Sequence, residues 1–236
     1  MRGAGGPGTP VARGLAGRRV ASGARMASAP RSPSYAEATR TLLRSTLLEA
    51  ARELASERSW REVTMAAIAG RAGVSRQTLY NEFGSRGALS EALVLHEVDR
   101  FVGAVADTIR RGVGDPAAAI AGALGIFLHA AAEDPVVRAL LAEDGGREEL
   151  LPLVTAEGRP LLEHATEALA ALVRETWPFV AEGESRFLAE TIVRLAISYV
   201  VLPVDRIAPT VEGVTALIRP YVTELLARTG DDAAAA

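Results

Sequence analysis

The eight residues Arg76–Phe83 (RQTLYNEF) contain the only Gln and the only Asn of a 236-residue chain. An amide side chain presents a donor and an acceptor together, which matches adenine N6 and N7 in the major groove of DNA. Arg76 adds a fork suited to guanine, and Thr78 adds a methyl group suited to thymine. Gln77 and Asn81 therefore stand as candidate base readers. Thr64, Tyr80 and Arg86, near helix starts or on the rim of the same stretch, suit phosphate oxygens. Ser75 and Arg40 complete the set of candidate DNA contacts. The plainer alternative is that Gln77 and Asn81 are ordinary exposed polar residues.

Other chemistries find little support. The chain has no Cys, which excludes disulfides, thiol catalysis, zinc fingers and iron–sulfur clusters. Its three His, at 96, 129 and 164, are too far apart for a metal-binding helix motif. No catalytic residue, metal ligand or cofactor is assigned. The cationic residues are all Arg, and their distribution is uneven. Residues 1–87 carry 14 Arg and 6 acids, whereas residues 88–236 carry 12 Arg and 23 acids. A basic end on an acidic body points to a polyanionic partner for the N-terminal part. Six of those Arg fall in residues 1–34, which leaves 35–87 at only +2.

The elements that must position Gln77 and Asn81 all read as helices. Residues 1–34 are rich in Gly, Pro, Ala, Ser and Arg without apolar period, and are expected to be disordered. They read first as a leader before a true start at Met26, and second as a basic arm on phosphates. Leu43, Leu47, Ala50 and Leu54 then step by four, three and four, one face of a helix. Ser59-Trp60 interrupts it. Thr64 caps a short helix that Gly73 ends, and Ser75 caps the next, which reaches Phe83 at most. Such a short Gly-containing turn between two helices makes a helix–turn–helix. Ile68, Val74 and Leu79 can pack on Leu47 and Leu54, leaving the polar positions of the second helix outside.

Gly84-Ser85 breaks the chain again, and a long helix is expected over Arg86–Arg111. Asp115-Pro116 and Asp134-Pro135 each open another helix, with Pro at the first helical position. Gly145-Gly146 is expected to break the second of these. A further helix is expected from Pro152 to Trp177-Pro178, kinked at Pro160. Residues 184–201 and 211–228 form the last two, followed by a disordered tail, 230–236. The longest uncharged run, 117–132, is bounded by acids and prolines, and no membrane association is expected.

The stretch from Thr41 through Val63-Thr-Met-Ala-Ala-Ile-Ala-Gly-Arg-Ala-Gly-Val-Ser-Arg-Gln-Thr-Leu-Tyr-Asn-Glu-Phe-Gly-Ser resembles the DNA-binding domain of TetR-family transcriptional regulators, over about residues 38–90. Two positions depart from the pattern. Ser59 stands where Gly usually precedes the aromatic, and Arg86-Gly87 stands where Lys and an acid are usual. Arg keeps the charge. Gly87 forgoes an acid worth about 0.3–1 kcal/mol at a helix N-terminus.

The resemblance implies an all-α protein: a three-helix helix–turn–helix domain over 35–87, then a helical effector-binding and dimerisation domain over 88–229. It implies a ligand-responsive repressor that binds a palindromic double-stranded operator as a homodimer in the cytoplasm, on the nucleoid. An activator or architectural protein without effector stays open, as does a small helical enzyme. The effector is expected to be small and apolar or amphipathic. Its pocket is sought around Phe101, Phe127, His129, His164, Trp177, Phe179 and Tyr199. The dimer face is sought on the last two helices, at Phe187, Ile192, Leu195, Tyr199, Val214, Leu217 and Tyr221. The long helix shared by both domains is the natural lever between effector and DNA.

Overall fold

The computed structural model describes residues 34–142, 146–203 and 205–234. Of the leader expected over 1–34, residues 1–33, with Met26, lie outside them, and Ser34 caps the first helix. Ten α-helices and one 3₁₀ turn form the described chain: α1 (Tyr35–Glu57), the 3₁₀ turn (Trp60–Glu62), α2 (Met65–Arg71), α3 (Arg76–Phe83), α4 (Arg86–Arg111), α5 (Pro116–Glu133), α6 (Pro135–Leu141), α7 (Gly146–Val154), α8 (Arg159–Thr176), α9 (Glu182–Val201) and α10 (Ile207–Ala234). There is no strand among the described residues.

Side-chain caps set most of the helix starts. Ser34 and Glu37 close a reciprocal capping box at α1. Thr64 accepts from the Ala67 N–H, Ser75 from Thr78, Ser85 from Ala88 and Asp115 from Ala118. Asp134 accepts from both Val136 and Val137. Each satisfies donors that the first helical turn leaves free. Two glycines take the left-handed conformation that ends a helix, Gly73 at φ 70° and Gly84 at φ 76°. These two reversals swing α3 across α2 and then launch α4.

Three expectations are corrected. Residues 146–176 form two helices where one kinked helix was expected: α7 ends at Val154, and Pro160 sits in the first turn of α8. A proline there costs nothing, because its missing N–H would have had no partner. Pro152 lies inside α7 instead of opening a helix. The last helix continues to Ala234, through most of the expected tail, in keeping with the high helix propensity of its alanines.

The buried apolar side chains fall into three connected groups. The first packs α1, α2, α3 and the start of α4 around Leu47, Trp60, Ile68, Leu79 and Leu89, and extends onto Leu150 of α7 and Val136 of α6. The second joins α4, α5, α8 and α9 around Ile109, Val173 and Trp177. The third sets α5 against α9 and α10. Helix α5 has the length and apolar composition of a membrane span, but its Ile120, Leu124 and Leu128 are buried in this third group and the cavity wall.

Candidate nucleic-acid interface and apolar cavity

Helix α3 presents its polar face outward. Leu79 is fully buried beneath it, and Arg76, Gln77, Tyr80 and Asn81 are exposed, with Thr78 half-buried. Gln77 Nε2 donates to Asn81 Oδ1 at 2.8 Å, one turn further along. The two amides thus fix each other's orientation at the surface. Ser75 Oγ, besides capping α3, lies 2.8 Å from the Thr78 hydroxyl. Thr64 is exposed at the start of α2. Arg40 and Arg44 reach from α1 to Glu82 on α3 at 3.0 and 3.2 Å, and Arg44 stacks 4.6 Å from the Phe83 ring centre. These contacts fasten the C-terminal end of α3 to α1.

Arg86, expected on phosphate, is engaged by acceptors of the protein itself. Its guanidinium donates to the carbonyls of Val63 and of Trp60, the latter at 2.8 Å, and to Glu149 Oε2 at 3.0 Å. It also lies 5.0 Å from the Trp60 ring centre. One residue of α4 therefore ties the 3₁₀ turn to α7.

Between α4, α5, α8 and α9 lies a cavity of about 160 Å³. A cavity of about 150 Å³ is enough for benzene. Its walls include Phe101, Val102 and Val105 of α4, Ala123 and Phe127 of α5, Leu169 of α8, and Ile192 and Ile197 of α9. Phe101 and Phe127 meet edge to face at 5.1 Å. Glu97 is the one ionisable residue among the described lining residues. Burial pushes its carboxyl up to about 7, and the nearby Asp134 carboxylate adds to the shift. Arg52 of α1 approaches Glu97 at 3.2 Å and donates to Asp134 at 2.7 Å. Asp134 is the cap of α6, whose Val136 and Val137 also line the cavity. One cation of the N-terminal domain is thereby bound to two elements of the cavity wall.

Residues 47–93 match the family described as bacterial regulatory proteins, tetR family. Residues 115–220 match the bacterial tetracyclin repressor C-terminal domain. The HTH-type transcriptional regulator AlkX of Mycobacterium tuberculosis is 36% identical over 187 residues, covering 79% of this chain and 88% of its own length. The chain is a TetR-family transcriptional regulator. The crystal structure of the TetR family repressor AlkX from Dietzia sp. strain DQ12-45-1b, implicated in biodegradation of n-alkanes, is 36% identical, with a TM-score of 0.70 over 77% of this chain and 95% of that one. A TetR-family regulator from Pectobacterium atrosepticum shares the fold at 22% identity and a TM-score of 0.52, over 80% of this chain and 96% of its own.

In this TetR-family regulator the residues sought for a pocket separate. Phe101 and Phe127 line the cavity, and so does Ile192, which was expected on the dimer face. The others do not line it. Trp177 is core, and its indole donates to the Val113 carbonyl at 3.2 Å. His164 pairs with Asp99 at 2.7 Å near the surface, His129 is exposed and bonds to the Gly125 carbonyl, and Phe179 is 49% exposed. Tyr199 packs with Leu195 against the group of side chains between α5, α9 and α10, where Val214 is buried. Phe187 and Leu217 are exposed on α9 and α10, and the Phe187 and Tyr221 rings meet at 5.9 Å. Sequence reading missed Glu97 and Arg52. A signal existed: Leu93, Glu97, Phe101 and Val105 step by four, so Glu97 interrupts a core-facing stripe, where a lone acid needs a reason.

Proposed function

We propose that this regulator is a ligand-responsive repressor that binds a palindromic operator as a homodimer in the cytoplasm and leaves it when a small apolar effector fills the cavity. The observation that carries the reading is the position of α4. It forms one wall of the cavity, starts at the loop that ends α3, and is bound to α1 through Glu97 and Arg52. A ligand that favours a different packing of α4 alters the placement of α3, and it shifts occupancy only by its differential affinity for the two forms. The apolar walls suit an aliphatic effector, in keeping with the n-alkane context named for the Dietzia repressor. The exposed Phe187 and Leu217 supply apolar area for a twofold interface of α9 and α10.

Selection of random duplexes by the full chain tests this. The expected product is a palindrome with half-sites one or more helical turns apart, whose binding weakens as n-hexane or benzene saturates the cavity. Weak, salt-sensitive binding without sequence preference would overturn operator recognition. An operator held equally well with the cavity filled would overturn the effector role.

Within this reading Gln77→Ala relaxes preference at one base pair and costs about 1–3 kcal/mol there. It also leaves Asn81 without its orienting partner, so a smaller loss at the neighbouring position accompanies it. Binding to a panel of single-base operator variants reads both effects. A variant that discriminates like the wild type removes Gln77 from the reading set.

A further inference from the structure

Two ion pairs set how the walls of the cavity are aligned. Asp99 of α4 meets His164 of α8 at 2.7 Å, and Arg110 of α4 meets Glu175 of α8 at 3.2 Å, each pair 65 residues apart in sequence. A constant offset means that α4 and α8 run parallel. Helix α5 runs antiparallel to α4, with Phe127 on Phe101 and Gly122 against Thr108. The cavity follows this alignment. On α4 its lining runs from Val94 to Ile109, about four turns and about 22 Å at the rise of an α-helix. On α8 it runs from Leu161 to Val173. Val94 and Leu161 belong to the first buried group, Ile109 and Val173 to the second, so the void runs lengthwise from one group to the other. Spread over that length, about 160 Å³ makes a thin slot rather than a round void. The edge-to-face rings of Phe101 and Phe127 stand midway along it. The carboxyl of Glu97 is held by Arg52 at 3.2 Å and by Arg100 at 3.3 Å, and the other described lining residues are apolar.

We propose that the slot selects unbranched aliphatic chains over compact isomers, the chain lying lengthwise along α4 past the Phe101–Phe127 pair. The proposal rests on reading the cavity as the effector site, and binding in the slot is measured apart from release of the operator. The walls hold the chain through burial of apolar surface. An extended chain of single bonds gains about 1.2 Å per bond, as an extended backbone does, so its carbons spread over successive turns of the slot. A branched isomer of the same carbon count gathers its volume at one level. There it meets side chains packed as closely as any protein interior, and fitting it costs what overpacking a core costs. Phe101 and Phe127 set the width at the midpoint and so act as the residues that discriminate shape.

Titration of the full chain with n-octane and with its branched isomer isooctane tests this. Free ligand is read from the vapour above the solution, and each affinity is expressed relative to the pure liquid, so that the difference in hydration cancels. Wild type is expected to bind n-octane about tenfold or more tightly than isooctane, the lower part of the range for overpacking. Phe101→Ala widens the midpoint and is expected to bring the two isomers to near-equal affinity. Phe127→Ala does the same from α5 and serves if the first variant fails to fold. In crystals grown with octane brominated at both ends, the two bromines are expected at different turns of α4, on either side of the aromatic pair. Equal binding of the two isomers to wild type overturns the selectivity and leaves the cavity reading standing. So does a folded variant that keeps the full preference, or a pair of bromines at one level of α4. Failure of both isomers to bind, or bromines outside the cavity, overturns both readings.

Discussion

Replacing Arg86 with Ala is expected to destabilise the protein by about 2–4 kcal/mol, because its guanidinium satisfies two main-chain carbonyls and one carboxylate at once. Trp60 and Val63 are fully buried, so solvent replaces the lost donors poorly at that point. Stacking of the guanidinium on Trp60 adds about 0.5–2 kcal/mol. The ion pair with Glu149 is the lesser part, since both side chains keep about a third of their surface in water (31% and 29%) and solvent screens it. Denaturant unfolding of the variant measures the total. The salt dependence of DNA binding separates this role from the phosphate contact expected from sequence. An unchanged midpoint, with a salt slope shallower by about one, would return Arg86 to the DNA surface. A lower midpoint with the wild-type slope assigns it to the fold.

Ala123→Phe is expected to close the cavity and abolish the effector response. Ala123 is 7% exposed and lines the cavity from α5, one turn before Phe127, so a larger ring there takes up cavity space. The added apolar contact offsets much of the overpacking cost, which runs to about 1–3 kcal/mol where no space exists. The folded protein should therefore keep a midpoint within that margin and keep its operator affinity. The thermal unfolding midpoint of the wild type is expected to rise by several degrees with excess n-hexane, in the manner of any ligand that binds only the folded state, and that of the variant is expected to stay unchanged. A wild-type-sized shift in the variant would show that the probe sits elsewhere.

The sequence was most informative where structure is local. Ser75, Ser85, Asp115 and Asp134 each cap the helix expected to follow, because the oxygen that ends the preceding segment is the one that satisfies the new donors. Gly73 and Gly84 likewise mark their own reversals. The outward set on α3 was legible for the same reason: one turn of apolar spacing at Leu79 fixes which side its neighbours face. The cavity was not legible. Which of Ile192, Leu195 and Tyr199 borders a void depends on how α9 lies between α5 and α8, and no spacing along α9 encodes that. Trp177 and His129 drew attention by type alone, yet one is packing and the other surface. Arg86 shows how residue type and surroundings can point to different roles. Its residue type suits phosphate, and its guanidinium also meets two main-chain carbonyls and the Glu149 carboxylate, which no spacing along the chain announces.

The apolar group beneath α3 does not stop at the end of α4's first turns; it continues onto Leu150, Val154 and Val136. This bears on how such regulators are recombined. A chimera cut at Ser85, taking residues 35–85 as a portable reading head, would strip Trp60 of its Arg86 lid and leave α1 without α6. The smallest transferable unit is therefore discontinuous in the chain. It consists of α1 to the first half of α4 together with α6 and α7, so a graft that swaps operator preference has to carry over, or match, the α6–α7 surface as well.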